Sequence, residues 1–313
     1  MTSQPEPTPL APDCEALRTD LIANPLAPIW QLDAAAARAL HIQLTVDARA
    51  GWLPPLADLP VSSQDLPGGN RVPAMRRYRC DVPDPSVCLL WFHGGGWVLG
   101  NLETTEATAR TACAATGWEV LSVDYRCAPL DPFPAAIDDA LAAADWALEH
   151  HPRVVVGGDS AGGNLAAAVA QQRGGHPGLV GQVLVYPTTD PTLGYPSASQ
   201  FVDGPFLTRR DVEWFYDQYV PTAADRASAL VDLVSDFDSR AIVPTPAVVL
   251  TVGHDPLRDE GIAYARMLAD TGAQVSWIHA PELFHGAFSQ AGFLPSAAAR
   301  VAEVWSTAHR VFA

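Results

Sequence analysis

From about residue 76 onward, short apolar runs alternate with longer segments whose apolar residues recur at helical spacing. The runs at 87–92, 119–124, 154–156, 180–186, 247–253 and 274–279 are rich in apolar and β-branched residues and read as strands, as does the more polar 76–82 around Tyr78. The first two flank Pro83-Asp84-Pro85, so a hairpin is predicted there. Segments 104–116, 135–149, 161–172, 258–271 and 296–311 read as helices. Such alternation implies an α/β fold, in which a mostly parallel sheet is covered by helices on both faces.

Upstream, residues 2–12 are polar and proline-rich and are expected to lack fixed structure. Residues 14–50 are predicted to be helical, with Leu32, Ala36, Leu40 and Leu44 near helical spacing. Residues 53–73, broken by prolines and Gly68-Gly69, read as a connector. One later interval breaks the alternation. Between Asp190 and Pro244 lie Phe201, Phe206, Trp214, Phe215, Tyr216 and Tyr219, with helical patterning and no strand. This insertion, at about 190–244, and an N-terminal segment at 1–50 are expected to cap the C-terminal ends of the strands, where open α/β sheets bind ligands. The competing reading is that these aromatics are ordinary core. Residues 51–313 then form one main domain carrying the insertion.

At 313 residues and 48% hydrophobic content, the chain has enough apolar surface for one large core. Its net charge of −16 argues against nucleic acid and anionic membrane partners. All 19 basic residues are arginine, which excludes Schiff-base and Ser-Lys chemistry as well as a Walker phosphate loop. The five cysteines (Cys14, Cys80, Cys88, Cys113, Cys127) are widely spaced and form no CxxC pair, so buried free thiols are expected and no metal site. The first 17 residues hold no Arg or Lys and no continuous apolar core, and no apolar run approaches about 20 residues. The expected location is the cytoplasm; a homodimer is left open.

Gly158-Asp159-Ser160-Ala161-Gly162 follows the apolar run Val154-Val155-Val156 and precedes an alanine-rich helix. A serine at a sharp strand-to-helix turn needs glycine two residues to either side, because larger side chains would collide. The helix then points its positive end at charge forming near the serine. His93-Gly94-Gly95-Gly96-Trp97 directly follows the run at 87–92. Its glycines let backbone N–H groups approach a reacting carbonyl, so Gly95 and Gly96, with Ala161, are the candidate oxyanion donors. His93 and Gly94 are expected to support that loop. The Trp97-Val98-Leu99 interruption does not fit a dinucleotide fingerprint.

A base and its orienting acid are expected after the serine, in the order Ser, Asp/Glu, His. Asp255 follows the run at 247–253, and His285 lies just beyond the next strand, in Phe284-His285-Gly286. His285 is therefore the candidate base and Asp255 the acid that fixes its tautomer. Asp259 and Glu260 are the rival acids, and His254, beside Asp255, is expected to point away from it. No histidine–acid cluster has metal-ligand spacing.

Together these stretches resemble the hormone-sensitive-lipase-like esterases, the bacterial family IV carboxylesterases of the α/β-hydrolase fold. The resemblance rests on His93-Gly94-Gly95-Gly96-Trp97, Asp124-Tyr125-Arg126-Cys127-Ala128-Pro129, the Ser160 pentapeptide, Asp255-Pro256-Leu257-Arg258-Asp259-Glu260 and His285-Gly286. It implies an eight-stranded, mostly parallel sheet with a helical cap, and cofactor-free hydrolysis of short- to medium-chain acyl esters by a Ser160–Asp255–His285 triad. It also implies that Gly95, Gly96 and Ala161 form the oxyanion hole. Cys127 and Leu130-Asp131 depart from the family pattern without touching the chemistry. The alternatives are a specialised deacetylase or lactone hydrolase with the same triad, or a member of the fold that only binds a small ligand.

Overall fold

The computed structural model describes residues 8–47, 58–69, 72–84, 86–237, 240 and 242–313. Its strands are β1 (Val61–Leu66), β2 (Ala74–Cys80), β3 (Cys88–Phe92), β4 (Glu119–Asp124), β5 (Val154–Asp159), β6 (Leu179–Val185), β7 (Ala247–His254) and β8 (Val275–Phe284). They form one eight-stranded sheet in the order β1-β2-β4-β3-β5-β6-β7-β8. All neighbours from β4 to β8 are parallel, whereas β1–β2 and β2–β4 are antiparallel.

The predicted hairpin around Pro83-Asp84-Pro85 does not form, and Pro85 lies outside the described residues. β4 stands between β2 and β3, pairing Ala74 with Asp124 on one side and Cys88 with Glu119 on the other. Burial explains the outcome. All five residues of β3 are buried, as are Val120 to Val123 of β4, while β2 carries Arg76, Arg77 and Arg79 and is only half buried. The apolar strand takes the apolar neighbour, and the charged strand moves towards the edge. β1 falls within the expected connector, because Val-Ser-Ser-Gln-Asp-Leu carries one buried residue, Val61, and no apolar alternation.

Successive side chains of each inner strand serve opposite faces. Leu90, Phe92, Leu121, Val123, Val154 and Val156 pack with helices α4 (Ala135–His150), α5 (Ala161–Arg173) and α9 (Arg258–Asp270). Leu89, Trp91, Val120, Val155 and Val183 pack with α3 (Leu102–Thr116) and α10 (Pro295–Phe312). Trp91 meets Trp305 of α10 edge-on at 5.5 Å between ring centres, both fully buried. Capping fixes the ends of α3: Asn101 and Thr104 form a reciprocal capping box, and Gly117 terminates the helix at φ +75°.

The expected helix at 14–50 is two helices, α1 (Pro12–Ala23) and α2 (Ala34–Thr45), and residues 48–50 lie outside the described set. Pro25 and Pro28 cannot continue a helix, and Asp33 restarts it by accepting the Ala36 N–H. Residues 8–11, expected to be loose, are held: Ala11 N–H donates to Glu282 O (3.0 Å), and Thr8 O accepts from His254 Nε2 (2.8 Å). Residues 2–7 of that expectation lie outside the described set.

Between β6 and β7 come α6 (Pro196–Gln200), α7 (Arg209–Tyr219) and α8 (Ala223–Arg226), with no strand among the described residues. A Thr208–Asp211 capping box starts α7, which buries Val212, Phe215, Tyr216 and Tyr219. Tyr219 stacks on Trp97 with ring centres 4.5 Å apart. On the N-terminal side, Arg38 of α2 donates to Val98 O (2.8 Å) and Ala128 O (2.7 Å). Both segments therefore bear on the glycine-rich loop after β3. No helix among the described residues is long and apolar enough to cross a membrane.

Candidate active site

The turn from β5 into α5 places Ser160 at φ +56°, a conformation that L-residues seldom adopt. Space forces glycine on both flanks. A Cβ on Gly158 would lie 2.3 Å from the Gly162 carbonyl, and one on Gly162 would lie 2.0 Å from Phe92 O. Both obstacles are backbone and cannot swing aside. Ser160 N–H donates to Val185 O (2.9 Å), which fastens the strained residue to the neighbouring strand.

Three strand ends bring the remaining groups to this turn. His285, just past β8, has Nε2 2.9 Å from Ser160 Oγ and Nδ1 2.9 Å from Asp255 Oδ2. A carboxylate only accepts, so the proton belongs on Nδ1, and Nε2 accepts from the serine. Asp255, just past β7, is fully buried, and its other oxygen accepts Leu257 N–H at 2.8 Å. Tyr186 packs against the imidazole with ring centres 4.3 Å apart, limiting its rotation.

The rival groups point elsewhere. His254 turns to Thr8 O (2.8 Å), as expected from its neighbour position. His150 stacks on Trp146, His279 lies 2.9 Å from the Thr251 hydroxyl, His309 packs near Trp118, and His176 Nδ1 accepts from Gly178 N–H. Asp259 accepts from Ser197 N–H and Arg258. Glu260 is fully buried and faces away from His285: Oε1 accepts the N–H groups of Thr189 (2.7 Å) and Asp190 (3.3 Å), while Oε2 has no partner. Burial, reinforced by the charges of Asp190 and Asp255, holds this carboxyl well above the usual range.

The loop after β3 turns sharply, with Gly95 at φ +115° and Gly96 at φ +61°. Leu99 N–H donates to Gly95 O (2.7 Å), which closes the turn. The N–H groups of Gly95 and Gly96 donate to no acceptor among the described residues, and that of Ala161 is one of the free donors at the start of α5. His93 is buried at the start of this loop. Its Nδ1 lies 2.8 Å from Gly94 O and 3.1 Å from Tyr125 Oη, and Tyr125 Oη donates to His93 O (2.7 Å). Burial lowers the His93 pKa to about 4, so the ring is neutral.

Two supporting residues had no signal in the motif spacing. Asp159 occupies the variable position of the serine pentapeptide, yet its Oδ1 accepts Gly94 N–H (3.1 Å) and so ties the loop to the serine turn. Burial raises its pKa to about 6, against the lowering effects of that hydrogen bond and of nearby His285. Phe215 of α7 lies against the loop: a Cβ on Gly96 would sit 2.1–2.7 Å from its ring carbons. The aromatic pattern across residues 201–219 does not single it out from its neighbours. No His, Cys, Asp or Glu group with ligand geometry lies at this site among the described residues.

A family model described as the α/β-hydrolase fold matches residues 89–289. The carboxylic ester hydrolase LipN of Mycobacterium tuberculosis is 40% identical over 274 residues, covering 81% of this chain and 70% of its own. The ethyl acetate hydrolase of Pseudomonas putida is 35% identical over 243 residues, 74% of each chain. Among solved structures, a thermostable esterase from Pseudomonas putida superposes with a TM-score of 0.87 at 29% identity, covering 100% of this chain and 99% of that one.

Proposed function

The chain belongs to the α/β-hydrolase fold family, in its hormone-sensitive-lipase-like branch, and from that premise we propose that it is a serine carboxylesterase acting on short- to medium-chain acyl esters. The observation that carries this reading is the unbroken hydrogen-bonded series Asp255–His285–Ser160, with both links at 2.9 Å. In this mechanism His285 Nε2 takes the Ser160 proton as Oγ attacks the ester carbonyl. Negative charge develops on the carbonyl oxygen, where the N–H groups of Gly95, Gly96 and Ala161 stabilise it. Asp255 holds the imidazole tautomer and balances the imidazolium. Collapse of the tetrahedral intermediate releases the alcohol with the proton from His285 and leaves an acyl-Ser160 ester. Water, deprotonated by the same histidine, then releases the acid.

The insertion and the N-terminal helices act as the cap in this reading, because α7 and α2 both contact the oxyanion loop. A ligand-binding member of the fold would have no use for a complete triad, so the same hydrogen bonds favour the enzyme. The test is hydrolysis of p-nitrophenyl esters from acetate to palmitate by the wild type and Ser160→Ala. Turnover that peaks on the shorter chains and is abolished by the substitution is expected. Activity that survives in Ser160→Ala would overturn the assignment of the nucleophile.

A further inference from the structure

At the opposite end of the sheet from Ser160, three side chains of different chemistry converge. Cys88 opens β3, Glu119 opens β4, and His151 follows the last residue of α4. Cys88 and Glu119 are register partners on adjacent parallel strands, so their side chains share a face. One ligand atom from each residue lies within 4.8 Å of the other two. Cys88 is 1% exposed, and the Glu119 and His151 side chains are 11% and 19% exposed.

The polar atoms here are poorly served. Arg77 Nε is ion-paired with Glu119 Oε1 at 3.2 Å and His151 Nε2 lies 3.6 Å from the same oxygen, but none of these three buried atoms makes a hydrogen bond. Glu119 Oε2, in contrast, is held by Arg79 at 2.5 Å. Buried polar atoms normally find partners, and a group of them facing a thiol calls for an occupant. We infer that Cys88 Sγ, His151 Nε2 and Glu119 Oε1 bind a divalent transition metal of the zinc class, with water completing the coordination.

The donor set selects this class of ion. Sulfur and imidazole nitrogen suit zinc and its neighbours, whereas calcium and magnesium need more oxygen ligands than one carboxylate supplies. Tetrahedral zinc places its ligand atoms about 3.5 Å apart at ordinary bond lengths; His151 Nε2 and Glu119 Oε1, 3.6 Å apart, already stand at that spacing, and no pair of the three is further apart than 4.8 Å. On binding, the Cys88 S–H proton passes to solvent as the S–metal bond forms, and no electron moves. The ion takes Arg77's place at Oε1, and that cost makes the site weaker than one built from several thiolates. It joins β3, β4 and the α4–β5 connection, so it would brace the sheet rather than enter catalysis.

Chelator-treated full-length protein should bind cobalt(II) with a thiolate-to-metal charge-transfer band in the near ultraviolet, and zinc should displace it. Cys88→Ser should abolish the band. His151→Gln, at a half-buried position outside the strands, should weaken zinc binding by at least the ~10–100-fold seen when a ligand's supporting partner is lost. Esterase turnover and circular dichroism confirm that each variant is folded. Cobalt bound without the thiolate band, undiminished binding in His151→Gln, or no binding by folded wild type would each overturn the site.

Discussion

Gly96→Ala separates three consequences of one methyl group. The residue sits at φ +61°, and the added Cβ would lie 2.1–2.7 Å from three ring carbons of Phe215. The left-handed conformation costs an L-residue about 1–2 kcal/mol. Overpacking against a ring that is itself buried costs typically about 1–3 kcal/mol more. If the loop shifts to relieve the contact, the Gly96 N–H leaves its proposed oxyanion position, and losing one such donor costs about 2.7–4 kcal/mol, or 10²–10³ in kcat. The expected result is a kcat about 10²–10³ lower, with KM little changed and stability reduced.

Phe215→Ala tells the components apart. Removing the ring leaves the φ penalty in place but eliminates the clash. The double variant should therefore regain part of what Gly96→Ala loses, with a coupling of about 1–3 kcal/mol in a cycle measured by urea unfolding and by kcat/KM on p-nitrophenyl butyrate. The cycle also cancels the stability that Phe215→Ala loses by itself. A coupling below about 0.5 kcal/mol is ordinary additivity and would mean the ring does not bear on Gly96. A Gly96→Ala enzyme with kcat within threefold of wild type would refute its donor role.

Asp255→Asn should lower kcat about 10⁴-fold through the wrong imidazole tautomer, with folding intact by circular dichroism; a loss under tenfold would contradict the triad. Glu260→Gln should leave kcat within threefold, because burial pushes this carboxyl towards its neutral form and the amide oxygen can still accept from Thr189 and Asp190. A hundredfold loss would mean that a charged Glu260 is needed. Two further substitutions give opposite pH effects on unfolding free energy. Asp159 is raised from 3.8 to about 6, so its stabilising effect is full below pH 3.8 and is lost as pH rises towards 6, worth up to about 3 kcal/mol. His93 is lowered from 6.5 to about 4, so the unfolded chain binds the extra proton and stability falls as pH drops from 6.5 towards 4, by about 3 kcal/mol. Relative to wild type, Asp159→Asn should gain stability as pH rises from 4 to 7 and His93→Gln should gain it as pH falls over that range; parallel curves for all three proteins would refute both assignments.

The strand–helix alternation was legible because β3, β5 and β7 are apolar on both faces, as strands in a parallel interior are. Strand order was not. Whether β2 pairs with β3 or β4 depends on which neighbour is buried, and the prolines between them suggested a turn without fixing its partner. β1 was hidden because an edge strand needs little apolar character. At the site, Ser160, Asp255 and His285 stood out because each follows an apolar run, and the parallel sheet gathers those ends. Asp159 and Phe215 act on the loop through tertiary contacts, one across 65 residues from Gly94, so no local spacing announces them.

Those two residues bear on how selectivity and rate are linked. The loop after β3 is gripped by Asp159 at the serine turn, by His93 and Tyr125 from below, by Phe215 of α7 and, through Val98 O, by Arg38 of α2. Two of these grips come from segments that in the proposed reading cover the substrate. A substituent that displaces α7 to accommodate a larger acyl group therefore also moves a wall of the proposed oxyanion donors. Since a misplacement of about 1 Å can cost 10²-fold in rate, substitutions in α7 should alter kcat and not KM alone. A cap that only sieved substrates would stand clear of the loop; here Phe215 is packed on its glycine. Acyl preference and turnover are thus expected to change together in this enzyme.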